Sequence, residues 1–284
     1  MDEPSLADNR ILWALYRFHY LTPLQLRLLL FSPASQRYAE RKLKYLSDTG
    51  YVLRDWIPTK GNRGRGNRPS YYTLSTKGMT HLSRIHGVER RRVNPITATF
   101  IQHSLDVSGF LVQAAAFTKL HPDFRIVQGY HNQELAEMDM KVKLRSGRER
   151  TVTPDGWLDM QSEERRRRLC IALEVQRSIL EQRRWHEKIE GLLAWAATTM
   201  KPVMKTRDVN ICFVATHELA ALRDRDTLVK KTEQVLTRLK MQDWARILFF
   251  WGGSLKDIST EELFTQPVWH QPFLKQPVPL LELE

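Results

Sequence analysis

Positive charge is concentrated in the first third of this chain, and the same third contains the apolar residues of a folded domain. Residues 1–95 hold 17 Lys and Arg against 7 Asp and Glu, whereas the remaining residues hold 27 against 25. Such a surplus on one module favours a polyanionic partner, of which nucleic acid is the commonest. Trp13, Tyr16, Phe18 and Trp56 argue for a packed domain rather than a basic tail. A surface that is basic only for solubility is the alternative.

Length and composition favour two folded domains. A chain of 284 residues accommodates domains of about 100 and about 190 residues. We predict a first domain over residues 1–95, a second over 96–264, and an extended tail over 265–284, which contains four prolines.

The sequence predicts a cytoplasmic protein without a membrane partner. Cys170 and Cys212 lie in apolar runs and form neither a disulfide framework nor a zinc site, which fits a reducing compartment. The N-terminus lacks the pattern of a signal peptide, and no apolar stretch approaches the roughly 20 residues of a membrane span.

Three helices are predicted at the start of the first domain. Asp8 is the predicted cap of the first, Thr22-Pro23 begins the second, and Ser35 caps a third that ends near Gly50. The residues predicted to face inward are Ile11, Leu12, Leu15, Phe18, Tyr38, Leu43 and Leu46.

A basic β-hairpin is predicted after these helices, with strands at residues 51–57 and 71–74. Glycine and arginine alternate at its tip, residues 60–69, as in a cationic turn. The candidate DNA-binding residues lie on the outer face of the third helix and on this tip: Arg37, Arg41, Lys42, Lys44, Lys60, Arg63, Arg65 and Arg68.

Three helices followed by a basic hairpin resemble the winged helix-turn-helix, over roughly residues 8–86. The resemblance implies that the third helix enters the major groove of double-stranded DNA while the hairpin, the wing, contacts phosphate or the minor groove. A winged helix that binds protein is the alternative.

The second domain has an α/β order with a mixed sheet. A helix is predicted over residues 98–120, with Phe100, Leu105, Phe110, Leu111 and Phe117 on its apolar side. The further predicted elements are strands at 124–130, 152–160 and 168–176, a helix at 181–199, a strand at 209–215, a helix at 223–240 and a strand at 246–251.

This order, with acids at two places, is similar to the PD-(D/E)xK nuclease superfamily and its restriction-endonuclease-like fold. Asp155 in Pro154-Asp155-Gly156 matches the first acid, and Glu174 matches the second. Period-2 geometry places Glu174 and Gln176 on one strand face, and a hairpin lets Asp155 lie beside Glu174. Such a carboxylate pair suits Mg²⁺ or Mn²⁺, so Asp155 and Glu174 are the predicted metal ligands.

The lysine of that superfamily is missing from its usual position, where this chain has Gln176. The resemblance implies catalytic roles for Asp155, Glu174, Gln176 and Lys188, the last supplying positive charge from the following helix. In the alternative interpretation, Asp155 forms a turn before Gly156, and Glu174 is the ion-pair partner of Arg177 or Lys188.

The order along the whole chain resembles the bacterial replication-relaxation family, which is encoded on plasmids and other mobile elements. The resemblance rests on the basic winged helix, His103 and Leu105 on the next helix, the Asp155 and Glu174 motifs and the downstream lysine. It implies a DNA-binding protein with a role in plasmid replication or its control. The resemblance of the second domain to the PD-(D/E)xK superfamily adds a Mg-dependent endonuclease or nickase as the expected activity. The alternatives are a non-catalytic replication factor or regulator and a protein adaptor. A homodimer and other replication proteins are further partners left open.

Overall fold

A computed structural model describes the chain over residues 3–32, 35–58, 69–90, 98–216 and 220–283. It divides into two compact units, residues 1–116 and 117–284. Both contain helices and strands, so the protein is α+β, with the expected mixed sheet in the second unit. The domain boundaries at residues 95 and 264 stay predictions.

The first unit has helices and a two-stranded sheet in the predicted order. Strands β1 and β2 are antiparallel, with Val52 opposite Leu74. The elements that begin in this unit are α1 (Leu6–Phe18), α2 (Pro23–Leu30), α3 (Gln36–Asp48), β1 (Val52–Trp56), β2 (Ser70–Leu74), α4 (Thr76–His86) and α5 (Ala98–Leu120).

Capping boxes begin the first two helices. Ser5, and not the predicted Asp8, is the N-cap of α1; Asp8 instead accepts hydrogen bonds from the Ser5 backbone and hydroxyl at 2.9 and 2.5 Å. The reciprocal arrangement satisfies amide groups that a helix N-terminus otherwise leaves unpaired. Thr22 and Gln25 form the same box at α2, as the Thr22-Pro23 signal predicted.

Two residues predicted to face inward are exposed. Tyr38 on α3 is 37% exposed, and Ala39 is buried in its place. Phe100 on α5 is 60% exposed, whereas Ile101 is buried. Each prediction was wrong by one position because an aromatic ring at the border of an apolar face can pack on the helix surface; Tyr38 lies against Phe31.

The second unit contains a five-stranded sheet and several helices, and the predicted elements follow one another in the predicted order. The strands and helices that begin in it are β3 (Phe124–His131), α6 (Asn132–Leu135), β4 (Lys141–Lys143), β5 (Glu149–Thr151), β6 (Gly156–Ser162), β7 (Arg167–Gln176), α7 (Gln182–Ala197), α8 (Met200–Met204), β8 (Asn210–Ala215), α9 (Ala221–Leu239), β9 (Leu248–Gly252) and α10 (Thr260–Thr265). A 3₁₀ turn precedes β9.

The strand order is β3-β6-β7-β8-β9, antiparallel from β3 to β7 and parallel from β7 to β9. One face of this sheet and the helices α7 and α9 form the main core. Trp157, Trp185 and Phe213 lie in it, fully buried. Strand β7 is central and buried along most of its length, as its nearly continuous apolar sequence predicted.

Two parts of the second unit differ from the prediction. Residues 132–151 contain α6 and the β4–β5 hairpin, which were not predicted. The segment after Thr265 was predicted as an extended tail, but it packs on the sheet: Trp269 is fully buried, and His270 exchanges backbone hydrogen bonds with Phe250 at 2.8 Å. Trp269, Leu280 and Leu281 provide the buried apolar area that anchors it.

Cys170 and Cys212 are both free and both buried. Burial raises the pKa of the Cys170 thiol to about 11 and that of Cys212 well above its usual value. In the part of the chain that the structure covers, no helix has both the length and the apolarity to span a bilayer.

Candidate functional site

The register of β6 and β7 brings Asp155 and Glu174 to the same end of the two strands. The paired residues end at Gly156 opposite Leu173, and Asp155 and Glu174 are the adjoining residues in the chain. Asp155 lies in the bend that directly precedes β6, and its amide donates to the Leu173 carbonyl at 2.9 Å. The two acids are therefore neighbours at one end of this strand pair.

The Asp155 carboxylate is held by the backbone of the neighbouring strand. The Val175 amide donates to Asp155 Oδ2 at 2.8 Å. A hydrogen bond from an amide to a carboxylate favours the charged form and fixes the rotamer. Asp155 therefore stands in one orientation at the end of β6.

Helix α7 brings Lys188 to the same carboxylates. Trp185, Ile189 and Leu192 are buried at helical spacing, which turns the side of α7 that includes Lys188 towards the sheet. Lys188 Nζ lies 2.5 Å from Glu174 Oε2, with the two side chains 21% and 4% exposed. The lysine thus enters the predicted site from a different backbone position than Gln176.

The pKa of Lys188 reflects the negative charges of both acids. Burial works to lower the pKa of its ammonium group, and the charges of Glu174 and Asp155 outweigh that effect, so the pKa is raised above its usual value. Arg150, the middle residue of β5, is a smaller opposing influence. Both carboxylates and a second cation are therefore close to this one ammonium group.

Gln176 is buried on β7, two residues after Glu174. Period-2 alternation puts its side chain on the same sheet face as Glu174, and its backbone carbonyl accepts from the Thr216 amide at 3.1 Å. An amide side chain at this position can orient a water molecule but adds no charge. The structure therefore assembles Asp155, Glu174, Gln176 and Lys188 around the ends of β6 and β7.

The donor chemistry of this site fits Mg²⁺. Asp155 and Glu174 offer hard carboxylate oxygen atoms, and across the described ranges no larger cluster of His, Cys, Asp or Glu is arranged to hold a metal. Mg²⁺ is commonly bound through one or two carboxylates and keeps several of its waters. The site also contains a Glu174–Lys188 ion pair, one of the two pairings that the alternative interpretation of the sequence predicted.

Three of the predicted DNA-binding residues form one exposed stripe on α3. Arg37, Arg41 and Lys44 are spaced by four and three residues and are exposed. The Arg41 guanidinium lies 5.5 Å from the ring centre of Tyr38, and Lys44 Nζ lies 2.5 Å from Asp48. An ion pair this exposed contributes little and opens readily to a competing anion.

Lys42 does not share that stripe. Its Nζ lies 3.1 Å from Asp8 and 3.0 Å from the Ser5 hydroxyl, and it joins α3 to α1. The prediction that Lys42 contacts DNA assigned it to the outer face; Asp8 is 1% exposed, so this lysine neutralises a buried carboxylate instead.

The predicted wing is only partly covered. Lys60, Arg63, Arg65 and Arg68 lie outside the described residues. At the base of this hairpin, the Arg54 guanidinium lies 4.5 Å from the ring centre of Trp56, and both side chains are exposed. Sequence reasoning did not single out this pair, although a basic and an aromatic residue two positions apart on a strand share a face.

The fold and this cluster define a class of protein: an α+β chain of two units whose second unit sets two carboxylates and a lysine at the ends of adjacent strands in a mixed sheet. The family model for replication-relaxation proteins matches residues 12–205. The chain belongs to the replication-relaxation family, as its motif order predicted. Comparisons with curated proteins and with solved structures find no match.

Proposed function

We propose that this protein binds double-stranded DNA through its first unit and hydrolyses phosphodiester bonds with Mg²⁺ in its second. Membership in the replication-relaxation family indicates a role in replication or relaxation of a plasmid or other mobile element. The observation that carries the enzymatic proposal is the contact of Lys188 with Glu174, beside Asp155, at the ends of β6 and β7.

The first unit supports DNA binding through a winged helix-turn-helix. Three helices precede a two-stranded antiparallel sheet, and the exposed stripe Arg37, Arg41 and Lys44 lies on the third helix. In that fold the third helix reads the major groove and the hairpin contacts the backbone. The glycine- and arginine-rich tip supplies further charge.

The second unit supports a restriction-endonuclease-like site. After α5, which begins in the first unit, come three antiparallel strands, a helix and a parallel strand in the order β3, β6, β7, α7 and β8. The acids lie at the ends of β6 and β7, where that superfamily has them. Lys188 replaces the superfamily lysine from α7, and Gln176 occupies its strand position.

Each residue has a role that follows from its position. Asp155 and Glu174 would hold Mg²⁺, and Mg²⁺ when bound supplies Lewis acidity and a lowered pKa of water. Gln176 orients the attacking water with its amide group. The Lys188 ammonium stabilises the negative charge that develops on the phosphate oxygens, an effect that is strong in a partly buried site.

Nicking of supercoiled plasmid tests this proposal. We expect Mg-dependent relaxation by the full chain and its loss in Asp155→Asn plus Glu174→Gln. Lys188→Met should reduce the rate about 10²–10³-fold, the usual effect of removing one charge-stabilising group. Glu164→Gln, at the exposed β6–β7 turn, is the matched control and should leave the rate unchanged. Nicking that survives the double substitution, or no nicking at high protein concentration, contradicts the enzymatic proposal.

A second candidate is a non-catalytic DNA-binding replication factor. The observation that favours it is the pairing already present in the site: Lys188 contacts Glu174, and the Val175 amide contacts Asp155. In that case the cluster stabilises the fold, and DNA binding persists without Mg-dependent cleavage. The nicking assay, run beside a binding assay, separates the two candidates.

A further inference from the structure

The β4–β5 hairpin concentrates positive charge in the second unit. Its residues 141–150 contain five Lys and Arg and a single acid, Glu149. The chain from residue 96 onward has 27 Lys and Arg against 25 Asp and Glu, so outside this segment it has 22 against 24. The hairpin is a local cationic patch on an otherwise slightly acidic part of the protein. The five cations are Lys141, Lys143, Arg145, Arg148 and Arg150.

The hairpin presents four of these cations outward on a fixed backbone, whereas the fifth, Arg150, lies opposite the buried Val142 and is only half-exposed. Val142 and Leu144 are buried in the main core of the unit, and the alternating residues beside them are exposed. The Arg145 amide donates to Glu190 on α7 at 2.7 Å, and the Thr199 hydroxyl donates to the Lys141 carbonyl at 2.8 Å. The charged side chains therefore stand on an anchored element.

No ion pair joins any of the five cations to a carboxylate within the described ranges. The arginines near the β6–β7 turn are different: Arg165 lies 2.6 Å from Asp123, and Arg168 lies 2.6 Å from Asp159. Five like charges within ten residues repel one another unless an anion is nearby. Such a patch is typical of a surface that binds an extended polyanion.

The patch is next to the carboxylate–lysine site. β5 ends at Thr151, four residues before Asp155, a separation of at most about 14 Å along the chain. Arg150 and Val152 pack against α7 at Gly191, three residues after Lys188, so the end of the hairpin adjoins the site itself. A polyanion on the hairpin would continue into the cluster of Asp155, Glu174 and Lys188.

We propose that the β4–β5 hairpin binds the phosphate backbone of DNA and guides it to the site at Asp155 and Glu174; the guiding role rests on the proposed function. No aromatic residue lies between Lys141 and Arg150, so the hairpin lacks the stacking platform that binds bases. Its contacts are therefore to phosphate and independent of sequence.

The salt dependence of duplex binding by the full chain tests this inference, measured in EDTA so that no cleavage occurs. The test variant is Lys143→Gln, Arg145→Gln and Arg148→Gln. Three lost phosphate contacts should make the slope of log affinity against log salt shallower by about 2.7. Between 50 and 200 mM salt, the wild type should then lose about 40-fold more affinity than the variant.

Two matched variants serve as controls. Lys230→Gln, Arg238→Gln and Lys256→Gln remove the same charge from exposed positions elsewhere in the unit and should keep the wild-type slope. The double variant Arg145→Lys plus Arg148→Lys keeps the charge of the hairpin and should also keep the wild-type slope. An unchanged slope in the test variant, an equal change in the first control, or a wild type without salt-dependent affinity overturns the inference.

The result is independent of catalysis. A shallower slope in a protein that never nicks DNA supports the hairpin as a DNA-binding surface and rejects the enzymatic proposal. If the wild type nicks DNA but the hairpin substitutions leave the salt slope unchanged, the enzymatic proposal is supported and the hairpin is rejected as a DNA-binding surface.

Discussion

Replacing Lys188 by methionine removes the cation that pairs with Glu174. Glu174 is 4% exposed and Lys188 is 21% exposed, so the variant takes one cationic partner away from a buried negative charge. Breaking a buried ion pair in this way costs about 3–5 kcal/mol. Since the lysine side chain retains some contact with water, we expect a loss near the lower end, about 3 kcal/mol in the free energy of unfolding.

Urea unfolding followed by tryptophan fluorescence measures this loss. Six of the eight tryptophans lie in residues 117–284, so the signal reports mainly the second unit. With a slope of about 3 kcal/mol per molar urea, the midpoint should fall by about 1 M.

The double variant Glu174→Gln plus Lys188→Met tests the cause. Because it removes both charges, it should be more stable than Lys188→Met alone. Arg183→Met, on the exposed side of the same helix, is the matched control and should change stability by less than about 0.5 kcal/mol. A Lys188→Met protein as stable as the wild type, or a double variant no better than the single one, refutes the reasoning.

Three further predictions concern other contacts. Arg168→Met leaves the fully buried Asp159 without the guanidinium that donates to it at 2.9 and 2.6 Å, and urea unfolding should show a loss of about 3 kcal/mol. Burial and the neighbouring Asp55 raise the pKa of Tyr71 to about 12 from 10.0. The stability that its neutral phenol confers is therefore complete below pH 10 and is lost towards pH 12. Between these pH values, the melting temperature of the wild type should fall more steeply than that of Tyr71→Phe. Arg41→Gln should lower the salt slope of DNA binding by about 0.9, whereas Lys42→Met should keep the slope and lower the melting temperature; an equal slope change in both would contradict the placement of Lys42.

Regular elements with strong local signals could be predicted from the sequence. The Thr22-Pro23 start of α2 and the apolar run of β7 depend on residues adjacent in the chain, and both were confirmed. The nearness of Asp155 to Glu174 could also be predicted, because a short turn between two strands nearly fixes their register.

Contacts between distant residues could not be predicted in the same way. Lys42 pairs with Asp8, 34 positions away, and a helical wheel shows only that Lys42 is beside the outward stripe. Strands β4 and β5 have three residues each and were missed, although the alternation from Lys141 to Arg145 followed by Ser146-Gly147 is the signature of a short hairpin. Burial of Trp269 depends on a partner strand that the proline-rich sequence does not reveal.

At the site, too, local motifs could be predicted from the sequence and contacts between distant residues could not. Sequence motifs located both acids and named Lys188 as a candidate cation, but only the packing of α7 on the sheet brings its ammonium within 2.5 Å of Glu174. The nearness of Arg150 to that ammonium group also depends on the hairpin that was missed.

Calorimetric titration with Mn²⁺ tests most directly whether Asp155 and Glu174 form a divalent-cation site. We predict that the wild-type chain binds one ion and that Asp155→Asn plus Glu174→Gln abolishes this binding, while Glu164→Gln keeps it. The wild type should bind without DNA, since both carboxylates are already positioned by the backbone and by Lys188. Absence of binding to the wild type, or equal binding by the double variant, would contradict the account.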